Sequence, residues 1–208
     1  MDYDFIEIGT SWFNTLIENV EPNDANRLPG ICVEPIKEYL DKIEDKLSVK
    51  KINCAISFDN TESTLDIYYI PLDVLKENDL PWWLSGCNST NDYHFEHKIR
   101  NVTHLVKKIT VPCIPISKLF IDNNVEKLFH LKIDTEGGDC DILMHFLEYI
   151  KTQPKEHYPL NIQFESNHLT HRHKISDTIH AYLHTGYVVT HQDLNDTWLE
   201  YRPEPLQG

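Results

Sequence analysis

The chain has 208 residues, of which 40% are hydrophobic and 25% are charged, and its formal net charge is −14. This size and balance are typical of one globular domain with its own core, and no apolar run approaches the ~20 residues that span a bilayer. Because the acidic surface repels phosphate groups, we expect neither nucleic acid nor a membrane as a partner.

Strand and helix patterns alternate over the first part of the chain. In order, they are a strand over 5–9, a helix over 13–20, a strand over 31–34, a helix over 36–47 and a strand over 51–57. The two helices are predicted from apolar residues at helical spacing, and Pro35 suits the start of the second one.

The alternation stops in the middle of the chain. Residues 64–70 predict an extra strand, and no period persists over 71–103, which we treat as an irregular insert. A long irregular stretch within one domain is usually functional or mobile. Strand character returns over 109–116, where Pro112 and Pro115 predict a strand at the edge of a sheet.

The second half of the chain is regular again. It predicts strands over 129–134, 160–165, 187–191 and 198–202, with helices over 142–150 and 175–183. Repeated strand–helix units imply a mostly parallel sheet with helices on both faces, which is a Rossmann-like α/β fold. The last strand is expected to pair antiparallel with its neighbour. We treat residues 1–208 as one domain.

The cysteines predict a reducing environment. The five residues are scattered and form no Cys-x-x-Cys pair: Cys32, Cys54, Cys87, Cys113 and Cys140. Several stand in apolar, strand-like surroundings, so we interpret them as reduced and mostly buried thiols. No charged-then-apolar leader stands at the N-terminus. We therefore expect a cytoplasmic protein.

Ligands of such folds bind beyond the carboxyl ends of the strands, so the residues there are the first candidates for a site. The first strand ends at Gly9, and one glycine is equally consistent with a tight turn. The second strand ends at Glu34, 25 positions later, close to the spacing of a carboxylate that binds a ribose diol. The two ends together are more specific than either alone.

A later strand is followed by three carboxylates, Asp134, Glu136 and Asp139. Their mutual repulsion is expected to raise at least one pKa, and such a cluster can act as a general base, hold Mg²⁺ or contact a substrate. We assign Asp139 to the N-terminus of the following helix, where negative charge is favourable. Asp134 and Glu136 are left as catalytic and metal-binding candidates.

Histidines follow the strand that ends at Glu165. His168 is a candidate general base, because imidazole titrates near neutral pH. His168, His171 and His173 also form a weak metal-binding pattern, but their spacing matches no firm zinc motif. A polar loop before the next helix explains them equally well.

The order of the short motifs at these strand ends resembles that of FkbM-like methyltransferases. The motifs are Glu7-Ile-Gly9, Val-Glu34-Pro35, Ala55-Ile56-Ser57, Leu-Ser85-Gly-Cys-Asn-Ser89, Asp134-Thr-Glu136-Gly137 and Gln-Phe-Glu165. The resemblance implies a class I methyltransferase fold with a seven-stranded sheet. It also implies S-adenosylmethionine as methyl donor and a hydroxyl acceptor, often on a sugar or another polyol.

The resemblance also assigns residues to the donor site. The ribose would bind Glu34 beside Pro35, and the adenine would lie against Ala55, Ile56 and Ser57. The methionine part would lie along the first loop, formed by Glu7, Gly9, Thr10, Ser11 and Asn14. In that loop Asn14 stands where a second glycine is usual, and Glu7 stands where an aspartate is usual. The acceptor proton would pass to Asp134, Glu136 or His168, with or without Mg²⁺.

Four further expectations concern alternatives and partners. A nicotinamide-dependent oxidoreductase is the rival enzyme, but the chain lacks the Gly-x-Gly-x-x-Gly loop. A Rossmann-like binding module that has lost turnover is the non-enzymatic alternative, favoured by the altered first loop. Only four residues precede Phe5, so we expect this domain to belong to a longer polypeptide. Trp82 and Trp83 in the insert present aromatic faces suited to a sugar acceptor.

Overall fold

Two β-sheets organise the protein, whose computed structural model describes residues 1–19, 29–92 and 94–202. The strands of this described part are β1 (Asp2–Ile8), β2 (Gly30–Val33), β3 (Val49–Ile52), β4 (Ala55–Ile56), β5 (Ser63–Tyr69), β6 (Lys107–Ile114), β7 (Lys127–Ile133), β8 (Asn161–Glu165), β9 (Tyr187–Gln192) and β10 (Asp196–Tyr201). Its α-helices are α1 (Lys37–Leu40), α2 (Leu72–Glu77), α3 (Phe95–Ile99), α4 (Ile116–Asp122), α5 (Asp139–Ile150) and α6 (Arg172–Leu183).

The large sheet has seven strands in the order β3-β2-β1-β7-β8-β10-β9. The first five strands of this order run parallel to one another, and β10 runs antiparallel to both of its neighbours. The predicted fold and the antiparallel last strand are therefore confirmed. Strands β2 and β3 lie on one side of β1, and β7 and β8 lie on its other side, so the strand order reverses at β1. A crevice is expected at this point, where the carboxyl ends of β1 and β7 meet.

A second sheet of three strands has the order β4-β6-β5. The single strand predicted over 51–57 is divided, because β3 pairs with β2 whereas β4 pairs with β6. Between them, the Asn53 amide donates hydrogen bonds to the carbonyl oxygens of Glu34 and Pro35 and turns the chain. The predicted edge position of β6 is wrong, since β6 is the central strand of this sheet. The sheet tolerates Pro112 because β4 pairs only with Cys113 and Ile114, and Pro112 lies beyond that pairing.

The early helices are shorter than the apolar spacing predicts. Over 13–20 the described residues form only a 3-10 helix, Leu16–Asn19, and Val20 lies outside them. The second helix ends at Leu40, and Leu47 at the far end of its predicted stripe is 89% exposed, so that part of the stripe gains nothing from packing. The insert over 71–103 is more regular than expected, since it contains α2 and α3. Helix α4, which follows Pro115, was not predicted.

The core lies on both faces of the large sheet, as strand alternation requires. Ile6 and Ile8 of β1 pack in one cluster with apolar residues of α4 and α5. Phe5 points to the other face and packs with Ile17 and Leu40. Helix α5 forms as predicted, because Ile142, Leu143, Phe146, Leu147 and Ile150 recur at helical spacing and are buried, while acidic residues occupy its first turn.

Two other expectations bear on the protein's surroundings. All five cysteines are free and buried, as the sequence predicted. In the part of the chain that the structure describes, no helix has the length and apolarity required to cross a bilayer.

Candidate donor and acceptor cavity

A cavity of about 250 Å³ lies at the carboxyl ends of β1, β2 and β7 and is bordered by the small sheet and by the insert. Ten of the residues predicted for the site line it: Gly9, Thr10, Ser11, Asn14, Glu34, Pro35, Ala55, Ile56, Asp134 and Glu136. These residues are far apart in sequence, and the parallel sheet brings their strand ends together. Phe58, Leu65 and Ile67 add an apolar section to the wall.

Three predicted residues do not line this cavity. Glu7 is fully buried, and its carboxylate accepts hydrogen bonds from Lys132 Nζ at 2.7 Å and from the Leu16 backbone N–H at 2.9 Å. Ser57 is buried in the turn after β4, where its hydroxyl donates to Asp59 at 2.6 Å. His168 lines a separate cavity that runs along α6. Glu7 and Ser57 are thus placed to shape the loops beside the site.

Gly9 is required by the packing of two strand ends. Its φ is +77°, and a Cβ atom at this position would lie 1.7 Å from the carbonyl oxygen of Asp134. No side chain fits there, so glycine lets the loop after β1 cross the loop after β7. The sequence interpretation, in which Gly9 admits a ligand, is therefore incomplete, because the close neighbour is protein backbone.

Left-handed backbone is concentrated around the cavity. Among the described residues, seven non-glycine residues have positive φ, and five of them are Asn or Asp, which tolerate this conformation. The other two are Ser11 (54°) and Glu136 (56°), and both line the cavity. Such strain persists only where the surrounding structure enforces it and is frequent at functional sites.

Glu34 is a buried carboxylate held by backbone donors. It is 2% exposed, and its two oxygens accept hydrogen bonds from the N–H groups of Ser11 at 2.7 Å and Ile36 at 2.8 Å. Burial raises the pKa of Glu34 to about 7, and the two N–H donors oppose the rise. Each oxygen keeps a second lone pair, so the carboxylate can accept further hydrogen bonds from a ligand.

Two polar atoms in the cavity wall have no partner in the protein. Ser11 Oγ and Asn88 Oδ1 are buried and make no hydrogen bond, and both residues border the cavity. A buried polar group without a partner is costly, typically by about 1–3 kcal/mol. A polar ligand in the cavity would satisfy both.

Three carboxylates converge beside the cavity. One oxygen each of Asp134, Glu136 and Glu165 lies within 4.8 Å of the others. Burial and the neighbouring negative charges raise the pKa of both Asp134 and Glu165, and Lys132 partly opposes this for Asp134. The sequence predicted Asp134 and Glu136, and the sheet adds Glu165 because β8 lies next to β7.

Asp139 has the separate, structural role that the sequence assigned to it. Its carboxylate accepts hydrogen bonds from the Thr135 backbone and hydroxyl, at 3.2 and 2.9 Å, and from the Glu165 N–H at 3.2 Å. It lies in the first turn of α5. These bonds join the loop after β7 to β8 and leave the carboxylate little capacity for a ligand.

His94 joins the carboxylates from the insert, and sequence reasoning missed it. Its Nε2 lies 3.2 Å from Glu136 Oε2, and the residue is 6% exposed. Its Nδ1 accepts a hydrogen bond from the Glu96 backbone N–H at 3.2 Å, and its Nε2, although close to Glu136, is buried without a hydrogen-bond partner among the described residues. No sequence period marks His94; its local signal is the capping box that it forms with His97 at the start of α3.

The two tryptophans of the insert have different positions. Trp83 lines the cavity, and the Arg100 guanidinium lies 4.5 Å from the centre of its ring. Trp82 is 52% exposed and packs against Phe13, with ring centres 4.7 Å apart. Trp12 Nε1 donates to Ser85 Oγ at 2.7 Å. These contacts place the insert against the first loop, so both segments shape the entrance.

Comparison with known proteins gives two findings. The sequence profile of the methyltransferase FkbM domain matches residues 17–189. The fold is similar to that of methyltransferase FkbM from Methylobacillus flagellatus KT, with a TM-score of 0.53 at 13% sequence identity. That similarity covers 97% of this chain and 44% of the other, so the chain spans less than half of its structural neighbour. A search of curated proteins found no match.

Proposed function

This chain belongs to the FkbM methyltransferase family, and from that membership we propose that it is an S-adenosylmethionine-dependent O-methyltransferase acting on a hydroxyl of a sugar, glycan or similar polyol. The observation that carries the proposal is the cavity itself. It joins Glu34, the unsatisfied polar atoms of Ser11 and Asn88, and two carboxylates in one wall. The five free, buried cysteines support a cytoplasmic location.

The residues present fit the donor. Glu34 would accept hydrogen bonds from the ribose hydroxyls, and Ala55, Ile56 and Phe58 would cover the adenine with apolar surface. Ser11 Oγ would gain the partner that it lacks in the protein. When bound, S-adenosylmethionine supplies an electrophilic methyl group on a sulfonium centre.

The altered first loop is compatible with this assignment. Asn14 stands where the resemblance expects a second glycine, and its φ is 55°. Asn is among the residues that adopt left-handed backbone most readily after glycine. The substitution therefore retains the conformation for which glycine is used. Lys132 supports the loop, since it pairs with Glu7 at 2.7 Å and contacts the Asn14 carbonyl oxygen at 3.5 Å.

The acceptor hydroxyl must lose its proton, and the carboxylates provide the base. Asp134 and Glu136 both border the cavity. The raised pKa of Asp134 makes its ionised form a stronger base than an ordinary carboxylate. His94 Nε2 lies 3.2 Å from one oxygen of Glu136, and the other oxygen is left for the substrate. Positioning of the hydroxyl would supply much of the remaining acceleration.

A divalent cation is a second way to use the same carboxylates. Oxygens of Asp134, Glu136 and Glu165 lie close enough to share one ion, and Mg²⁺ prefers carboxylate oxygens. Bound there, the ion would offset the negative charge of the cluster, as Lys132 already does in part for Asp134. We propose Mg²⁺ as an optional participant, to be tested together with the donor.

The first prediction concerns donor binding. Calorimetric titration with S-adenosylmethionine and S-adenosylhomocysteine should give micromolar binding, and Glu34→Ala should weaken it at least about a hundredfold, because hydrogen bonds to a charged, buried group contribute about 1.5–3 kcal/mol each. Glu62→Ala is the matched control, since Glu62 is an exposed carboxylate outside the cavity. Thermal melts must show that both variants are folded.

The outcomes separate the possible functions. No heat and no thermal stabilisation by either ligand in the wild-type protein would refute the methyltransferase proposal. Binding followed by turnover of a sugar or polyol, assayed with Mg²⁺ and with a chelator, would support it and decide the role of the metal. Donor binding without turnover of any hydroxyl acceptor would instead support a binding module.

A further inference from the structure

An exposed pair of histidines lies outside the donor cavity, at the end of α6. His180 and His184 are four residues apart, so they stand one above the other on one side of the helix. Both residues are exposed, and their Nε2 atoms are 2.9 Å apart. The two nitrogens face each other with room for only one hydrogen between them.

The separation of the two nitrogens matches that of two neighbouring ligand atoms on a metal ion. A metal bound to each nitrogen at about 2.05 Å would make an N–metal–N angle of about 90° for the observed separation of 2.9 Å. That angle belongs to square-planar and octahedral ions, whereas tetrahedral Zn²⁺ needs the nitrogens about 3.3 Å apart. We propose that His180 and His184 form a chelating site for a divalent transition-metal ion, with Cu²⁺ and Ni²⁺ preferred over Zn²⁺.

The surrounding charges favour a cation at this position. His180 lies in the last turn of α6 and His184 is its C-cap, where the helix dipole is negative. The whole chain carries a formal charge of −14. Asp177 is exposed on the same side of the helix, one turn before His180. Because the rings are exposed, water can take the remaining coordination positions.

The test is a titration of the full chain with NiCl₂ and with CuSO₄ in a non-coordinating buffer that contains excess Mg²⁺, which competes for any cation site at the carboxylate cluster. We expect one ion to bind per chain, and His180→Ala and His184→Ala each to weaken binding at least about tenfold because chelation is lost. Electron paramagnetic resonance of the Cu²⁺ complex should show two imidazole nitrogens in the wild type and one in each variant. Thermal melts verify that the variants are folded.

A matched control comes from the other exposed histidine pair at the start of α6. His171 and His173 are two residues apart, and their rings stack with centres 5.5 Å apart. His171→Ala and His173→Ala should leave Ni²⁺ and Cu²⁺ binding unchanged. Unaltered binding in the His180 and His184 variants, loss of binding in the control variants, or displacement of the ion by excess Mg²⁺ would each overturn the proposal. None of these results depends on methyl transfer.

Discussion

At the scale of single residues, the site is distinguished by buried charge. Asp134, Glu136 and Glu165 share one small volume, and Lys132, whose positive charge favours the ionised form of Asp134, is already paired with Glu7. Carboxylates in this situation hold their protons to higher pH than usual, as the raised pKa values of Asp134 and Glu165 indicate. The burial of these charges therefore lowers the stability of the ligand-free protein.

The second prediction follows from this cost. A carboxyl group whose pKa is raised in the folded state makes its full contribution to stability below its unfolded pKa of about 4. The contribution is lost as the pH rises through the pKa that the group has in the folded protein. Asp134→Asn removes the ionisation. Its free energy of unfolding should therefore rise relative to wild type by about 1–3 kcal/mol between roughly pH 5 and pH 9.

Urea denaturation at several pH values measures this difference. Asp92→Asn is the control, because Asp92 is exposed and its substitution should give a difference that is independent of pH. A constant difference between Asp134→Asn and wild type would contradict the buried-charge interpretation. Addition of Mg²⁺ should reduce the pH dependence of the wild type if the cluster binds the ion.

At the scale of elements, the close contact between the ends of β1 and β7 decides where the site lies. Gly9 lies against the Asp134 carbonyl oxygen, so the loop that is proposed to hold the donor and the loop that carries Asp134 are in direct contact. The Asp139 carboxylate adds the end of β8 to the same unit. The insert completes it through His94 and Ser85.

The third prediction tests this contact. Gly9→Ala should lower the free energy of unfolding by about 3 kcal/mol or more, because it combines left-handed backbone with a clash against a carbonyl that cannot easily move. Gly86→Ala is the control. Its added Cβ would meet the Phe13 ring at 3.0 Å, which can shift, and the Trp83 carbonyl oxygen at 3.3 Å, which is a mild contact, so a cost of about 1 kcal/mol is expected. Equal costs in chemical denaturation would contradict the proposed crossing.

At the scale of the whole molecule, the excess negative charge is the dominant long-range effect. With 33 acidic and 19 basic residues, the folded chain repels itself. The fourth prediction is that raising NaCl from about 0.02 M to about 0.5 M increases the melting temperature by a few degrees, since salt screens this repulsion. KCl should act equally, because screening depends on ionic strength. A melting temperature that falls in both salts would contradict the prediction.

The sequence by itself determined the order of strands and helices along the chain, the class of fold and the strand ends at which the candidate site lies. Period-2 and period-3.6 patterns are local, so β1, β2, β7 and β8 and helices α5 and α6 could be predicted, and the parallel architecture followed from their alternation. Glu34 and Asp134 could be selected because a carboxylate at the end of an apolar strand is costly without a partner.

Only the tertiary structure decided which of these residues meet. His94 comes from an insert without a period, and Glu165 reaches the carboxylates only because β8 pairs with β7. The same packing places His168 in another cavity and turns Glu7 toward Lys132. The division of the strand over 51–57 likewise depends on the separate partners of β3 and β4. Contacts between residues distant in sequence depend on the packing of the whole chain, and local patterns do not encode them.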